Sequence, residues 1–156
     1  MQFSTREDIE APIGFVFDQL SDFDGFERAA LRRGIEVVRT DRLSEPGPGM
    51  AWRTLFTMRG KRRRMEVTLQ GYEVPGRLMF DGESKNLSGE LSLDLVDLSP
   101  RRTRVVVKLD VQPLSLPARI MLQSLRLAKA KTQDKFRTRI RDQAREIEHR
   151  YRRGAA

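Results

Sequence analysis

Few residues in this 156-residue chain have the types and spacing that chemistry requires. Histidine occurs once, at His149, between Glu148 and Arg150. One imidazole on a polar helix face supports neither a multi-histidine metal site nor a His-dependent triad. The lack of cysteine excludes thiol nucleophiles, disulfides and thiolate-held zinc or iron–sulfur centres. Asp22 and Asp24 lie close together, but a carboxylate opening a helical pattern reads as a cap. Gly47-Pro48-Gly49 lacks the Lys-Ser/Thr sequel and following helix of a phosphate-binding loop, and reads as a hairpin turn. That leaves Glu7, Arg39 and Thr54, which strand parity turns toward the same side as apolar neighbours. If the strands carrying Glu7 and Arg39 pair, a carboxylate and a guanidinium meet inside, as a structural ion pair or as groups that orient a bound molecule. None of these residues implies a metal or a cofactor.

Such groups need a scaffold, and hydrophobic periodicity outlines one. Residues 2–9 alternate, with Phe3, Thr5, Glu7 and Ile9 on one side. Ala11-Pro12 ends that strand and opens a short helix to Leu20. Ser21 or Asp22 caps a second short helix, roughly Phe23 to Arg32, stopped by Gly34. A second strand spans about 35–41, followed by the Pro46–Gly49 turn. Five strand-like segments come next, at roughly 50–59, 61–73, 77–83, 87–98 and 102–111. Their connections are too short for parallel crossovers, so they predict antiparallel hairpins. Along them Trp52, Thr54, Phe56 and Met58, then Met65, Val67 and Leu69, then Leu78 and Phe80, then Leu91, Leu93 and Leu95, share apolar faces opposite charged ones.

The stretch from Ser115 to Arg153 reads as one very long helix, with Ser115 as cap and Pro117 in the first turn. Met121, Leu122, Leu125, Ala128, Thr132, Phe136, Ile140, Ala144, Ile147 and Tyr151 share one broad side. A helix of ~36 residues would be ~54 Å long, against ~40 Å for a domain of this size. It must overhang or bend near its first third. Leu116, Ile120 and Leu127 fall on the opposite side, with no evident neighbour.

The order strand, two short helices, six strands, long helix resembles the START-like superfamily of polyketide cyclases, lipid-transfer proteins and coenzyme Q-binding proteins. So do Asp8-Ile9-Glu10-Ala11-Pro12, Val16-Phe17, Leu20-Ser21-Asp22-Phe23 and Pro48-Gly49-Met50 before Trp52. The resemblance implies an α+β helix-grip fold: a seven-stranded curved antiparallel sheet wrapped around a long C-terminal helix, with two short helices between strands one and two. It also implies a cavity between sheet and terminal helix, and carries over no catalytic residue. The expected lining is Trp52, Thr54, Phe56, Met58, Met65, Val67, Leu69, Phe80, Leu91, Leu93, Met121, Leu125 and Phe136, with Glu7 and Arg39 as polar cavity groups. The competing reading makes these residues a packed core.

Charge is the other prominent feature. The net charge is +8. Between Arg119 and Arg153 twelve Lys/Arg face four acids, while the rest of the chain holds eighteen of each sign, so the whole excess rides on the terminal helix. Arg59, Lys61, Arg62, Arg63 and Arg64 crowd one hairpin. An anionic membrane surface or RNA fits such patches. Without interleaved aromatics or a DNA-reading motif, sequence-specific nucleic-acid binding is not expected. The N-terminus has no signal-peptide core, and no apolar run approaches the ~20 residues of a membrane helix. The expectation is a single cytoplasmic domain over 1–156. Three functional readings follow: a carrier of a lipid-like or polycyclic hydrophobic molecule, an aromatase/cyclase-type enzyme, and an interaction protein acting through its basic helix.

Overall fold

A computed structural model describes residues 1–155. The elements in order are β1 (Gln2–Ile9), α1 (Ile13–Leu20), α2 (Phe23–Arg32), β2 (Glu36–Arg39), β3 (Ala51–Met58), β4 (Lys61–Glu73), β5 (Arg77–Glu83), β6 (Leu87–Ser99), β7 (Arg102–Pro113), α3 (Leu116–Leu127) and α4 (Lys129–Ala155). The local chemistry is as the residue types dictate. The Asp22 carboxylate accepts the Gly25 N–H at 3.1 Å and caps α2. Gly34, at φ +79°, takes the left-handed conformation that ends it. Ser115 accepts the Ala118 N–H at 3.3 Å and caps α3, with Pro117 in its first turn.

The strands form one antiparallel seven-stranded sheet in the order β1-β7-β6-β5-β4-β3-β2. Strands β1 and β2 are therefore opposite edges, and the pairing that would bring Glu7 to Arg39 does not occur. The chain closes instead by laying β1 on β7, from Gln2 opposite Asp110 to Ile9 opposite Thr103. Across the sheet the register stacks one apolar face: Phe3 opposite Leu109, Leu109 opposite Leu91, Leu91 opposite Phe80, Phe80 opposite Leu69. Because side chains alternate, the other face collects Asp81, Glu90 and Asp110, which lie directly opposite one another on β5, β6 and β7.

The expected single terminal helix is two. It breaks at Ala128, where φ is −111° and ψ 25°, and the N–H turns back to the carbonyls of Leu125 and Arg126. The Thr132 hydroxyl donates to the Ala128 carbonyl at 3.1 Å. The bend falls in the first third of the run, where the length argument requires one. Beyond it, α4 tracks β1 in the same direction. Gln133 Nε2 donates to the Ser4 carbonyl at 2.6 Å, Phe136 packs against Phe3 in a tilted arrangement with centroids 6.1 Å apart, and Glu148 accepts the Glu10 N–H at 3.0 Å. Fifteen helical residues and six strand residues both advance ~20 Å, so the two elements stay in step. Ala144 and Ile147, each 3% exposed, are the helix's deepest contributions to the core.

Candidate ligand cavity

Along each central strand the same inner face passes from packed to open. On β7, Val105 and Val107 are buried in the core, whereas Leu109 and Val111 line a cavity. On β6 the change runs from Leu95 to Leu91, on β5 from Leu78 to Phe80, and on β4 from Leu69 to Val67 and Met65. The packed half is filled by Val16 and Phe17 of α1 and by Ala144 and Ile147 of α4. The other half stays open because α4 follows the β1 edge instead of crossing the sheet. The cavity measures about 570 Å³, within the ~300–1,000 Å³ range of small-molecule sites.

Helix α2, not the terminal helix, faces this cavity, through Phe23, Phe26 and Glu27. Their spacing of three and four puts them on one side of the helix. Phe23 is the hinge of an aromatic group, with its ring centroid 5.5 Å from Trp52 and 6.2 Å from Phe80. The indole Nε1–H of Trp52 donates to Glu27 Oε1 at 2.8 Å. The Thr54 hydroxyl donates to the Met65 carbonyl at 3.0 Å. The two side-chain donors of Trp52 and Thr54 are thus satisfied within the wall, and most of the remaining lining is aliphatic and aromatic.

Two residues widen the space by having no side chain. Gly82 and Gly89 sit opposite each other on β5 and β6, at inward positions of both strands. Met65 leans over Gly82, its sulfur 3.3 Å from where a Cβ would be. A Cβ at Gly89 would approach only the Asp110 carbonyl, at 3.5 Å. Any residue at 89 larger than glycine would therefore project into the cavity.

At the β2 edge, Arg39 stands behind the wall. Its guanidinium carbon lies 5.7 Å from the Trp52 ring centroid, a cation–π arrangement. Arg39 Nε and Nη2 donate to Asp41 at 2.7 and 2.6 Å. Asp41 also accepts the backbone N–H groups of Leu43 and Ala51, at 2.9 and 2.8 Å. The Arg39 hydrogen bond, aided by those N–H groups, holds the Asp41 carboxyl far below the usual carboxylate range. The same pairing raises Arg39.

The residues proposed from sequence divide as follows. Trp52, Thr54, Met65, Val67, Phe80, Leu91 and Leu93 come together at the cavity. Leu69 is wholly buried in the packed half. Phe56 and Met58 have the right parity but continue toward the β3–β4 hairpin, opposite Arg63 and Lys61, where Met58 is 48% exposed. Met121 and Leu125 belong to α3, and Phe136 packs on Phe3; none of the three reaches the cavity. Its expected location against the terminal helix is thereby corrected. Glu7 faces α4, where Arg141 and Arg145 lie 3.1 and 3.4 Å from its carboxylate. Arg39 is behind Trp52. Sequence reasoning missed Leu20, Phe23, Phe26, Glu27, Val37, Leu87, Leu109 and Val111. For Leu87, Leu109 and Val111 strand parity was sufficient notice; for α2, the face shared by Phe23, Phe26 and Glu27 was. On α4, His149 is exposed as expected, whereas its neighbour Glu148 is buried, held by Arg145 at 2.8 Å and the Glu10 N–H.

No protein-family model and no curated protein matches the chain. Solved structures do match. A protein from Thermus thermophilus is 17% identical, with a TM-score of 0.67 and 100% of both chains covered. The Zhui aromatase/cyclase from a Streptomyces species is 13% identical, with a TM-score of 0.65 over 100% of this chain and 96% of its own. A START superfamily protein from Mycobacterium smegmatis is 14% identical, with a TM-score of 0.57 over 86% of this chain and 95% of its own. The architecture is thus the START-like helix-grip fold, with a curved antiparallel sheet and a long C-terminal helix. Among the described residues no helix is long and apolar enough to cross a membrane.

Proposed function

We propose that this single domain is a binding or carrier protein that encloses one lipid-like or polycyclic hydrophobic molecule between the sheet and α2. The observation that carries this reading is the cavity of about 570 Å³, whose wall is almost wholly apolar and whose Trp52 indole N–H and Thr54 hydroxyl are already engaged, by Glu27 and the Met65 carbonyl. An occupant is held by removal of its apolar surface from water, not by directional bonds. Glu27 is the natural contact for a lone hydroxyl, because Trp52 uses only one of its carboxylate oxygens. The aromatase/cyclase and the START superfamily protein that share the fold lend support to a hydrophobic occupant. The cyclase-type reading is weaker for this chain, because Glu7, Arg39 and Thr54, the groups it needs together, lie in three separate places.

Native mass spectrometry of the purified protein and titration with a fluorescent fatty acid or a hydrophobic quinone test the proposal. Uptake of one molecule per chain is expected. Gly89→Val keeps a residue type that strands favour and fills part of the cavity; it should weaken uptake roughly tenfold. A wild-type protein that carries no hydrophobe and takes up neither probe would overturn the carrier reading.

A further inference from the structure

The apolar patch on α3 has no occupant within the fold. Leu116, Ile120 and Leu127 are 68, 56 and 93% exposed. They fall within about 40° of one another around the helix. Ala118 and Leu122, on the other side, are buried. Leu114, just ahead of the helix, adds a fourth exposed aliphatic. A helix with aliphatic ridges on both sides has one more apolar face than the domain can cover.

The surrounding charge selects the occupant. From Val111 to Gln133 the chain carries Arg119, Arg126, Lys129 and Lys131 and no acid at all. None of these four cations forms an ion pair among the described residues; further along α4, where acids are interspersed, Arg137, Arg141, Arg145 and Arg150 do, and Lys135, Arg139, Arg152 and Arg153 do not. Arg119 and Arg126 lie about 80–100° around the helix from the ridge, where side chains on a half-immersed helix reach the headgroups. A second copy of this chain would bring the same cations against them. RNA would use the cations and leave the leucines in water. An anionic lipid surface satisfies both.

We propose that α3 docks on anionic lipid bilayers, its Leu116–Ile120–Leu127 ridge entering the acyl boundary and its cations meeting the phosphates. The break at Ala128 ends the straight run of α4 and lets α3 present this face by itself. Val111, five residues before α3, lines the cavity. Docking therefore brings the open end of the sheet to a reservoir of apolar molecules. The docking itself holds whether or not the cavity takes up a ligand, because it is read from the protein without one.

Flotation of the full chain with vesicles of phosphatidylcholine alone, or of phosphatidylcholine mixed with phosphatidylglycerol, provides the test. The protein should float with the anionic vesicles only, and less as salt is raised. Arg119→Gln with Arg126→Gln should weaken binding about fivefold per cation, roughly 25-fold together. Arg152→Gln with Arg153→Gln removes the same charge from the far end of α4 and should change binding less than about threefold. Leu116→Ser, Ile120→Ser and Leu127→Ser together should abolish flotation while the circular dichroism stays native, since all three are solvent-exposed. Four results overturn the proposal: wild type that does not float, equal losses from the two arginine pairs, a leucine variant that floats like wild type, or a concentration-dependent dimer that the leucine changes dissolve.

Discussion

Asp41 touches no part of the cavity, yet four donors converge on it, two from Arg39 and one each from the Leu43 and Ala51 backbone. Through Arg39 it sets the cation that backs Trp52. Its folded-state pKa is depressed, against ~3.9 in an unfolded chain. A depressed carboxylate stabilises fully above the unfolded value and loses that contribution as pH falls toward the folded one. Asp8, held low by Arg104, and Glu66, held low by Arg64 and then Arg53, act with the same sign. We expect the melting temperature to drop as pH falls below about 4. Asp41→Asn should melt lower than wild type at neutral pH, and the two curves should converge on acidification, as followed by thermal circular dichroism. Curves that stay parallel down to acid would show that ionisation of Asp41 is not linked to folding. The sequence placed Asp41 at the end of a strand and nothing more, because bringing the Ala51 N–H back to a carboxylate ten residues earlier depends on the path of a loop.

The C-terminal elements show how two stretches of similar pattern come to do different work. Helix α4 is pinned to β1 by Phe136, Ala144, Ile147 and the Glu148 carboxylate. Helix α3 buries Ala118 and Leu122 and leaves Ile120 in water. Ile147→Ala should cost about 3 kcal/mol, seen as a lower urea midpoint at unchanged slope. Ile120→Ala should stay within about 0.5 kcal/mol of wild type. A loss at Ile120 comparable to that at Ile147 would mean that the outer face of α3 is covered in solution. A helical wheel separates Ile147 from Ile120, but because it assumes a straight axis it also puts Met121 and Leu125 of α3 on one stripe with the residues of α4. Ala128, the residue at the break, is of the type that most favours helix, so no local preference announced it.

For the molecule as a whole, an occupied cavity adds to stability by mass action. A probe at a hundredfold excess over its dissociation constant contributes about 2.7 kcal/mol. At about 2–4 °C per kcal/mol for a chain of this size, the melting temperature should rise by about 5–10 °C with the quinone or fatty acid bound. Gly89→Val should show a smaller rise at the same probe concentration. An equal rise in both proteins would place the probe somewhere other than this cavity. The charge is distributed on the same scale: a row of acids crosses the outer sheet face at Asp81, Glu90 and Asp110, while α3 and the start of α4 carry Arg119, Arg126, Lys129 and Lys131 with no acid among them.

Period-two alternation and short turns were enough to read seven strands, their antiparallel sense and the inward face, because those features are local and repeat along the chain. Strands 61–73 and 77–83 and the helix Phe23–Arg32 fall where that pattern puts them. Which strands become edges is a matter of closure between distant segments, so the separation of Glu7 from Arg39 emerged only from the assembled sheet. The cavity was half legible for the same reason. Parity identified Trp52, Met65, Val67, Phe80, Leu91 and Leu93 as inward residues, but which half of that face is filled depends on the route of α4. That route is set by contacts with β1, from Gln133 on Ser4 to Glu148 on Glu10, which join residues more than a hundred positions apart.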